Sequence, residues 1–380
     1  MPFSSKLSST KASIFAVMSQ MANEHGAINL SQGFPNFDVA PELIDLVSHF
    51  MKAGCNQYAP MPGVPALRTA ISQKHADCQG VYYDPQSEIT VTAGATQALA
   101  AAIAALVHPG DEIIVFEPTY DAYVPLIEVQ GGKAVPLNLK APAFLPDWDE
   151  VAAAVSSKTR AIIVNTPHNP CGSTLSMEDL EKLAELAKKH DLYIISDEVY
   201  EHIVFDDTKH ISVGSHKDLK DRTFVISSFG KTFHTTGWKT GYCLAPGNLT
   251  WEFQKVHQFM VYSVNTPVQY AYAKYLKNPQ NYLETARFYQ GKRDFILKEL
   301  KDSPFTFTPA SGSYFQLLDY SGFHKGTGVE LAEKLVKENG VALIPLEPFY
   351  VKYPAPAMIR VCFAKTNDLL KSAADRLKKL

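Results

Sequence analysis

Apolar and polar positions follow two rhythms along this chain, and their balance changes once. Between residues 88 and 245, short apolar runs alternate with stretches that carry apolar residues at three- and four-residue spacing. The runs predict strands at 88–92, 112–116, 133–139, 161–165, 192–196, 222–226 and 242–245. The stretches between predict helices at 97–107, 120–130, 149–155 and 176–190; the last opens on Ser176 with an acidic residue three positions on. Such alternation implies an α/β fold with a mostly parallel sheet covered on both faces. Beyond Leu249 the character changes. Helices are predicted at 250–262, 267–276, 279–300, 329–339 and 367–379, with strands at 305–307, 313–318, 341–345 and 358–363. Before the alternating region, helices are predicted at 14–24, 41–54 and 64–79, and 28–35 reads as a short strand running into a loop. The expected division is an extended arm at 1–13, a large α/β domain at 40–271, and a smaller α+β domain built from 14–39 together with 272–380.

Composition narrows the function. The 380 residues are 46% apolar and 20% charged with a net charge of −3, ordinary globular values that suggest neither nucleic acid nor a membrane surface as partner. No apolar run approaches a membrane span, and the N-terminus lacks a signal-peptide core. Cys55, Cys78, Cys171, Cys243 and Cys362 stand far apart with no C-x-x-C pair, so metal and disulfide readings are weak. A reducing cytoplasm fits best.

The chemistry gathers where predicted strands end. After the strand at 222–226 comes a loop carrying Ser228, Gly230, Lys231, Gly237 and Lys239. Such a loop is often only a flexible connection. Here Lys231 stands just past a strand end, where open α/β sheets place ligands, and Lys239 follows with hydroxyl residues between, as an anion site needs. The turn Ala93-Gly94-Ala95-Thr96 leads from strand to helix, a natural phosphate cradle although a common one. Asn169, Asp197 and Tyr200 also follow strands. Singly, Asp197 reads as a helix cap and Asn169 as a turn residue. Together they supply what pyridoxal phosphate chemistry requires: an amine for the carbonyl, a carboxylate for the ring nitrogen, and donors for the phenolic oxygen.

With these residues in view, the sequence resembles the class I aminotransferases of fold type I, in the branch holding the kynurenine and methionine aminotransferases. The resemblance spans essentially the whole chain, from Asn29-Leu30-Ser31-Gln32-Gly33-Phe34-Pro35 to Ile359-Arg360-Val361-Cys362-Phe363. It is most specific at Asn169-Pro170-x-Gly172, Ser196-Asp197-Glu198-Val199-Tyr200 and Ser228-x-Gly230-Lys231. Thr166-Pro167-His168-Asn169-Pro170 and Val256-His257-Gln258 look most like the bacterial methionine aminotransferases. The resemblance implies pyridoxal 5'-phosphate joined covalently to Lys231, with Asp197 on the ring nitrogen, Asn169 and Tyr200 on the phenolic oxygen, and Tyr120 stacked on the ring. Gly94, Ala95, Thr96, Ser228 and Lys239 would bind the phosphate, and Tyr58 would reach it from the second subunit of a homodimer. Arg360 would take the substrate carboxylate beside Asn169 and the backbone of Gly33; Ile14, Phe15, Tyr58 and Tyr314 would line the side-chain pocket. For Ile14 and Phe15, plain core packing is nearly as good a reading.

The activity so implied moves the amino group of methionine or an aromatic amino acid, kynurenine included, to a 2-oxo acid by ping-pong kinetics. The alternative is a β-lyase acting on cysteine conjugates. A regulator built on the fold would need a fused DNA-binding domain, whereas the chain opens on the family's N-terminal arm. Lys239 stands where much of the wider family has arginine, and Cys171 where threonine is usual; no role is assigned to Cys171.

Overall fold

Among the described residues, twelve strands carry the framework. They are β1 (Ile28–Asn29), β2 (Ile89–Thr92), β3 (Glu112–Glu117), β4 (Lys133–Asn138), β5 (Thr159–Asn165), β6 (Tyr193–Asp197), β7 (Thr223–Ser228), β8 (Gly241–Leu244), β9 (Phe315–Asp319), β10 (Val341–Ala342), β11 (Ile344–Pro345) and β12 (Met358–Cys362). The computed structural model describes residues 5–7 and 12–380. Most of the arm expected at 1–13 therefore lies outside the described residues.

Seven strands form one sheet in the order β2-β8-β7-β6-β5-β3-β4. Strand β8 runs antiparallel to both its neighbours, and the remaining pairs are parallel. The α/β expectation holds, and its cause is visible in the alternation of side chains. Ile114, Ile162 and Ile194 face one apolar cluster; Ile113, Ile163 and Ile195 face the opposite one. A sheet buried on both faces needs apolar residues at nearly every position, which is why these strands read as continuous runs. Helices Trp148–Ala154 and Met177–His190 cover the first face through Val151, Leu180 and Leu183. Helices Ala95–Leu106, Tyr123–Val129 and Gly247–Met260 cover the second through Leu99, Ile103, Ile127 and Phe253.

The C-terminal elements pack on the first of these clusters, which takes in Leu317, Leu331, Ile359 and Leu370 together with Met18 and Leu30. A three-stranded antiparallel sheet, β11-β12-β9, lies there, and β1 pairs in parallel with β10, Ile28 opposite Val341. The strand expected at 341–345 is two strands in different sheets, because the chain crosses from β1 to β12 at Leu343. At 305–307 only an isolated bridge between Thr306 and Asp319 forms. The helix expected at 329–339 runs as Gly328–Lys334 and continues into a wider turn, Leu335–Asn339.

Candidate active site

The parallel strands end along one edge, and their last residues meet there. Asn165 of β5 lies in register with Asp197 of β6 and donates through Nδ2 to the Asp197 carbonyl at 2.8 Å. Asn165 Oδ1 in turn accepts the backbone N–H of Asn169 at 2.7 Å, fixing the loop that follows. Across the sheet, Gly241 at the start of β8 faces both Ser228 and Thr92. A cavity of about 290 Å³ opens at this edge, lined by Asp197, Tyr200, Ser228, Lys231, Lys239 and Arg360 among others.

One end of the cavity is built for an anion. Helix Ala95–Leu106 starts there, two residues earlier than the sequence suggests, with Gly94 before it at φ +80°. Ala98 is the first N–H to bond back, to the Gly94 carbonyl at 3.3 Å. The amides of Ala95, Thr96 and Gln97 precede the first helical bond, so the helix N-terminus offers donors and a positive dipole end. A Cβ added at Gly94 would lie 3.4 Å from Lys239 Nζ, so lysine and turn crowd together. A Cβ at Gly241 would lie 2.6 Å from the Ser227 carbonyl, so only glycine lets β8 pass this close.

Lys231 does not sit in a loop. It is on a one-turn helix, Phe229–Thr232, capped by the hydroxyl of Ser228 accepting from Gly230 N–H at 3.3 Å. The cap and the strand end aim its side chain across the cavity. Lys231 Nζ donates to Tyr314 Oη at 3.0 Å and to the Gly33 carbonyl at 3.3 Å. Tyr314 Oη also donates to the Gly33 carbonyl.

Among the described residues, the cavity carries three cations, Lys231, Lys239 and Arg360, against one carboxylate, Asp197. Burial brings Lys231 down to about 8, helped by the positive charges of Arg360 and Lys239 and opposed by Asp197. Burial pushes Asp197 up to about 6, opposed by the hydrogen bond from Tyr123 and the charge of Lys231. Arg360 is brought to about 10 by burial. It donates through Nη1 to Asn169 Oδ1 and through Nη2 to the Ser31 carbonyl, both at 2.8 Å, while its buried Nε has no partner. Its guanidinium lies 3.8 Å from the Phe315 ring centroid. An anion-binding end, an amine with lowered pKa, a buried carboxylate and a part-satisfied guanidinium thus share one cavity. That set can hold a phosphorylated carbonyl compound beside a substrate carboxylate.

Of the residues singled out in the sequence, Phe15, Gly33, Gly94, Ala95, Thr96, Tyr120, Asn169, Asp197, Tyr200, Ser228, Lys231, Lys239 and Arg360 line this cavity. Tyr314 is fully buried behind Lys231. Ile14 packs against the core and does not line the cavity wall. Tyr58 is 84% exposed, away from the cavity of its own chain. Sequence reasoning missed Tyr123, Asn165 and Phe315. Asn165 closes a predicted strand, and its position at the strand end was the available signal.

The comparisons with known proteins agree with this geometry. The family model for aminotransferase class I and II matches residues 25–377. The methionine aminotransferase of Escherichia coli is 47% identical over 377 residues, covering 99% of this chain and 98% of that protein. The crystal structure of YbdL from Escherichia coli, for which a methionine aminotransferase function was identified, superposes with a TM-score of 0.98 over 100% of both chains at 47% identity. The human kynurenine–oxoglutarate transaminase 1 is 32% identical over 395 residues, covering 95% of this chain and 94% of that one. None of the helices among the described residues is long and apolar enough to cross a membrane. A cavity so equipped, in a chain matched almost end to end, belongs to the class I and II aminotransferases, pyridoxal phosphate-dependent enzymes that exchange amino groups between amino acids and 2-oxo acids.

Proposed function

We propose that this enzyme takes the amino group of methionine, and of aromatic amino acids including kynurenine, and passes it to a 2-oxo acid in two half-reactions, with pyridoxal phosphate joined to Lys231. One observation carries the donor reading. The guanidinium of Arg360 is flanked by the rings of Phe15 and Phe315, and among the described residues of the chain no second guanidinium lines the cavity. Lys239 stands apart, against the Gly94 turn. A donor with an acidic side chain would bury that charge without a partner, at high cost. A thioether or aromatic ring gains from the same wall. The names of the Escherichia coli and human relatives point the same way.

When bound, the cofactor supplies an electron sink for the charge left at the donor's Cα. The chain's residues do the rest. The amides of Ala95 and Thr96, the Gly94 turn, Ser228 and Lys239 bind the phosphate, with Tyr58 of a second subunit. Tyr120 would lie against the ring, Asn169 and Tyr200 would hold its phenolic oxygen, and Asp197 as an anion would hold the proton on the ring nitrogen. Arg360 binds the donor carboxylate with Asn169 and the Gly33 backbone, and Phe15 bounds the side chain. Once the donor's amine has released Lys231, its neutral Nζ would take the Cα proton and return it. In this reading residues 40–271 form the cofactor-holding domain, 14–39 and 272–380 the smaller one, and the enzyme is a cytoplasmic homodimer.

The test is kcat/KM for methionine, phenylalanine, kynurenine and aspartate with a common acceptor. Methionine should lead and aspartate trail by at least about tenfold. Aspartate matching methionine overturns the donor reading.

A further inference from the structure

Glu117 is the last residue of β3, and its side chain is completely buried. The mechanism above does not use it. Its carboxylate grips main chain from the other end of the sequence. Oε1 accepts the N–H of Val351 at 2.6 Å and of Lys352 at 3.1 Å. Oε2 accepts the N–H of Lys352 at 3.3 Å and of Tyr353 at 3.0 Å. Three consecutive amides turned onto one anion make a nest. A carboxylate suits it because both oxygens only accept. The bend it holds belongs to no helix or strand, and the side chains of Val351 and Lys352 stand in solvent.

The grip continues along the same short segment. Thr119 N–H donates to the Phe349 carbonyl at 2.8 Å. Asp121 Oδ2 accepts the Ser13 hydroxyl at 2.9 Å, tying down the start of the N-terminal helix Ile14–Glu24. Between them Tyr120 lines the cavity. Phe349, held this way, is buried with its ring 5.9 Å from Phe15 and 5.5 Å from the Arg360 guanidinium. Phe15 is the cavity wall; Phe349 stands behind it. Residues 117–121 therefore hold the cavity's ring-bearing wall from two directions, and Glu117 is the buried anchor.

We propose that Glu117 is a positioning residue for the donor side chain: by fixing residues 351–353, and through them Phe349, it sets how closely Phe15 closes on that side chain. It touches neither cofactor nor donor. The proposal rests on the reading of Phe15 as a donor-binding residue.

The variant is Glu117→Gln, which keeps the shape but turns a donor toward one of the three amides; Glu117→Asp, which withdraws the carboxylate by one methylene, serves if that protein fails to fold. Hydrogen exchange on the holoenzyme should find the amides of 351–353 protected in the wild type and at least about tenfold faster in the variant. With the same proteins, KM for methionine should rise about fivefold to tenfold, while kcat, the cofactor's absorption spectrum and KM for alanine, whose side chain is a single methyl, stay within about twofold. Unchanged exchange overturns the anchor. Faster exchange with an unchanged methionine KM, an equal loss for methionine and alanine, or a loss confined to kcat overturns the link to the donor. A wild type that does not accept methionine overturns the donor reading and with it the link to the donor; the exchange result still decides the anchor.

Discussion

The phenol of Tyr123 donates to Asp197 Oδ2 at 2.7 Å beneath the cavity, with both groups buried. Burial raises the Asp197 carboxyl to about 6, and this hydrogen bond is the largest influence drawing it back. In the proposed mechanism Asp197 works as an anion, so activity is lost as pH falls through its pKa. Tyr123→Phe keeps the ring and removes the donor, which raises the pKa and moves that loss upward by on the order of one pH unit. A bound ring nitrogen would lower the pKa in both enzymes alike, so the difference between the two profiles reports Tyr123. The measurement is kcat/KM against pH; superimposable acid limbs would remove Tyr123 from this role.

Lys231 gives a prediction with the opposite sign. Its ammonium is disfavoured by burial and by Arg360 and Lys239, which brings the pKa to about 8. At pH 8 about half is neutral amine, against roughly 0.3% for an ordinary lysine. Only the neutral amine attacks a carbonyl, so uptake of pyridoxal phosphate by the apoprotein should quicken as pH rises through about 8 and then level off. Borohydride reduction should leave the cofactor's mass on the peptide containing Lys231. Lys231→Ala should retain cofactor by phosphate and ring contacts while losing turnover. A reduced adduct on any other lysine contradicts the assignment.

These two residues also show what the sequence could reveal. Asp197 and Lys231 were legible because each follows an apolar run, and a parallel sheet gathers such ends along one edge. Tyr123 opens a helix on its apolar side, where any aromatic reads as core, and only the fold turns its hydroxyl toward Asp197. Glu117 reads as a polar residue just past a strand; its partners lie 234 to 236 residues away, beyond any local pattern. The turn carrying Lys231 reads as loop because a four-residue helix has no period to detect. The split of 341–345 into β10 and β11 follows from two different partners, which a uniformly apolar run cannot encode.

Arg360 is fully buried, and its two terminal nitrogens already hold Asn169 and Ser31 in place. Lysine at this position keeps the charge but loses the planar fork and its fit over Phe315. Arg360→Lys should lower kcat/KM for methionine on the order of 100-fold, mainly through KM, with the cofactor's spectrum unchanged. A loss of cofactor instead would move Arg360 from donor binding to cofactor binding.

Tyr58 lies outside its own chain's cavity, 84% exposed, with its ring set edge-on to Tyr262 at 5.8 Å. Trp251, Phe259 and Met260 are also exposed, on helix Gly247–Met260. Apolar side chains exposed together can mark an association surface. If a second copy covers it, Tyr58 is available to the neighbour's phosphate site, and each site draws on two chains. Lys231→Ala and Tyr58→Ala, each damaging a different half, then complement one another. Co-expressed at equal levels with different tags, they should form mixed dimers for about half the population, each with one intact site. Activity should reach about a quarter of the wild-type value per chain, well above the mean of the two parents. Purification on both tags in sequence should raise it to about half. Activity equal to the mean of the parents in the doubly purified dimer would show that every site is built within one chain, and would return Tyr58 to the surface.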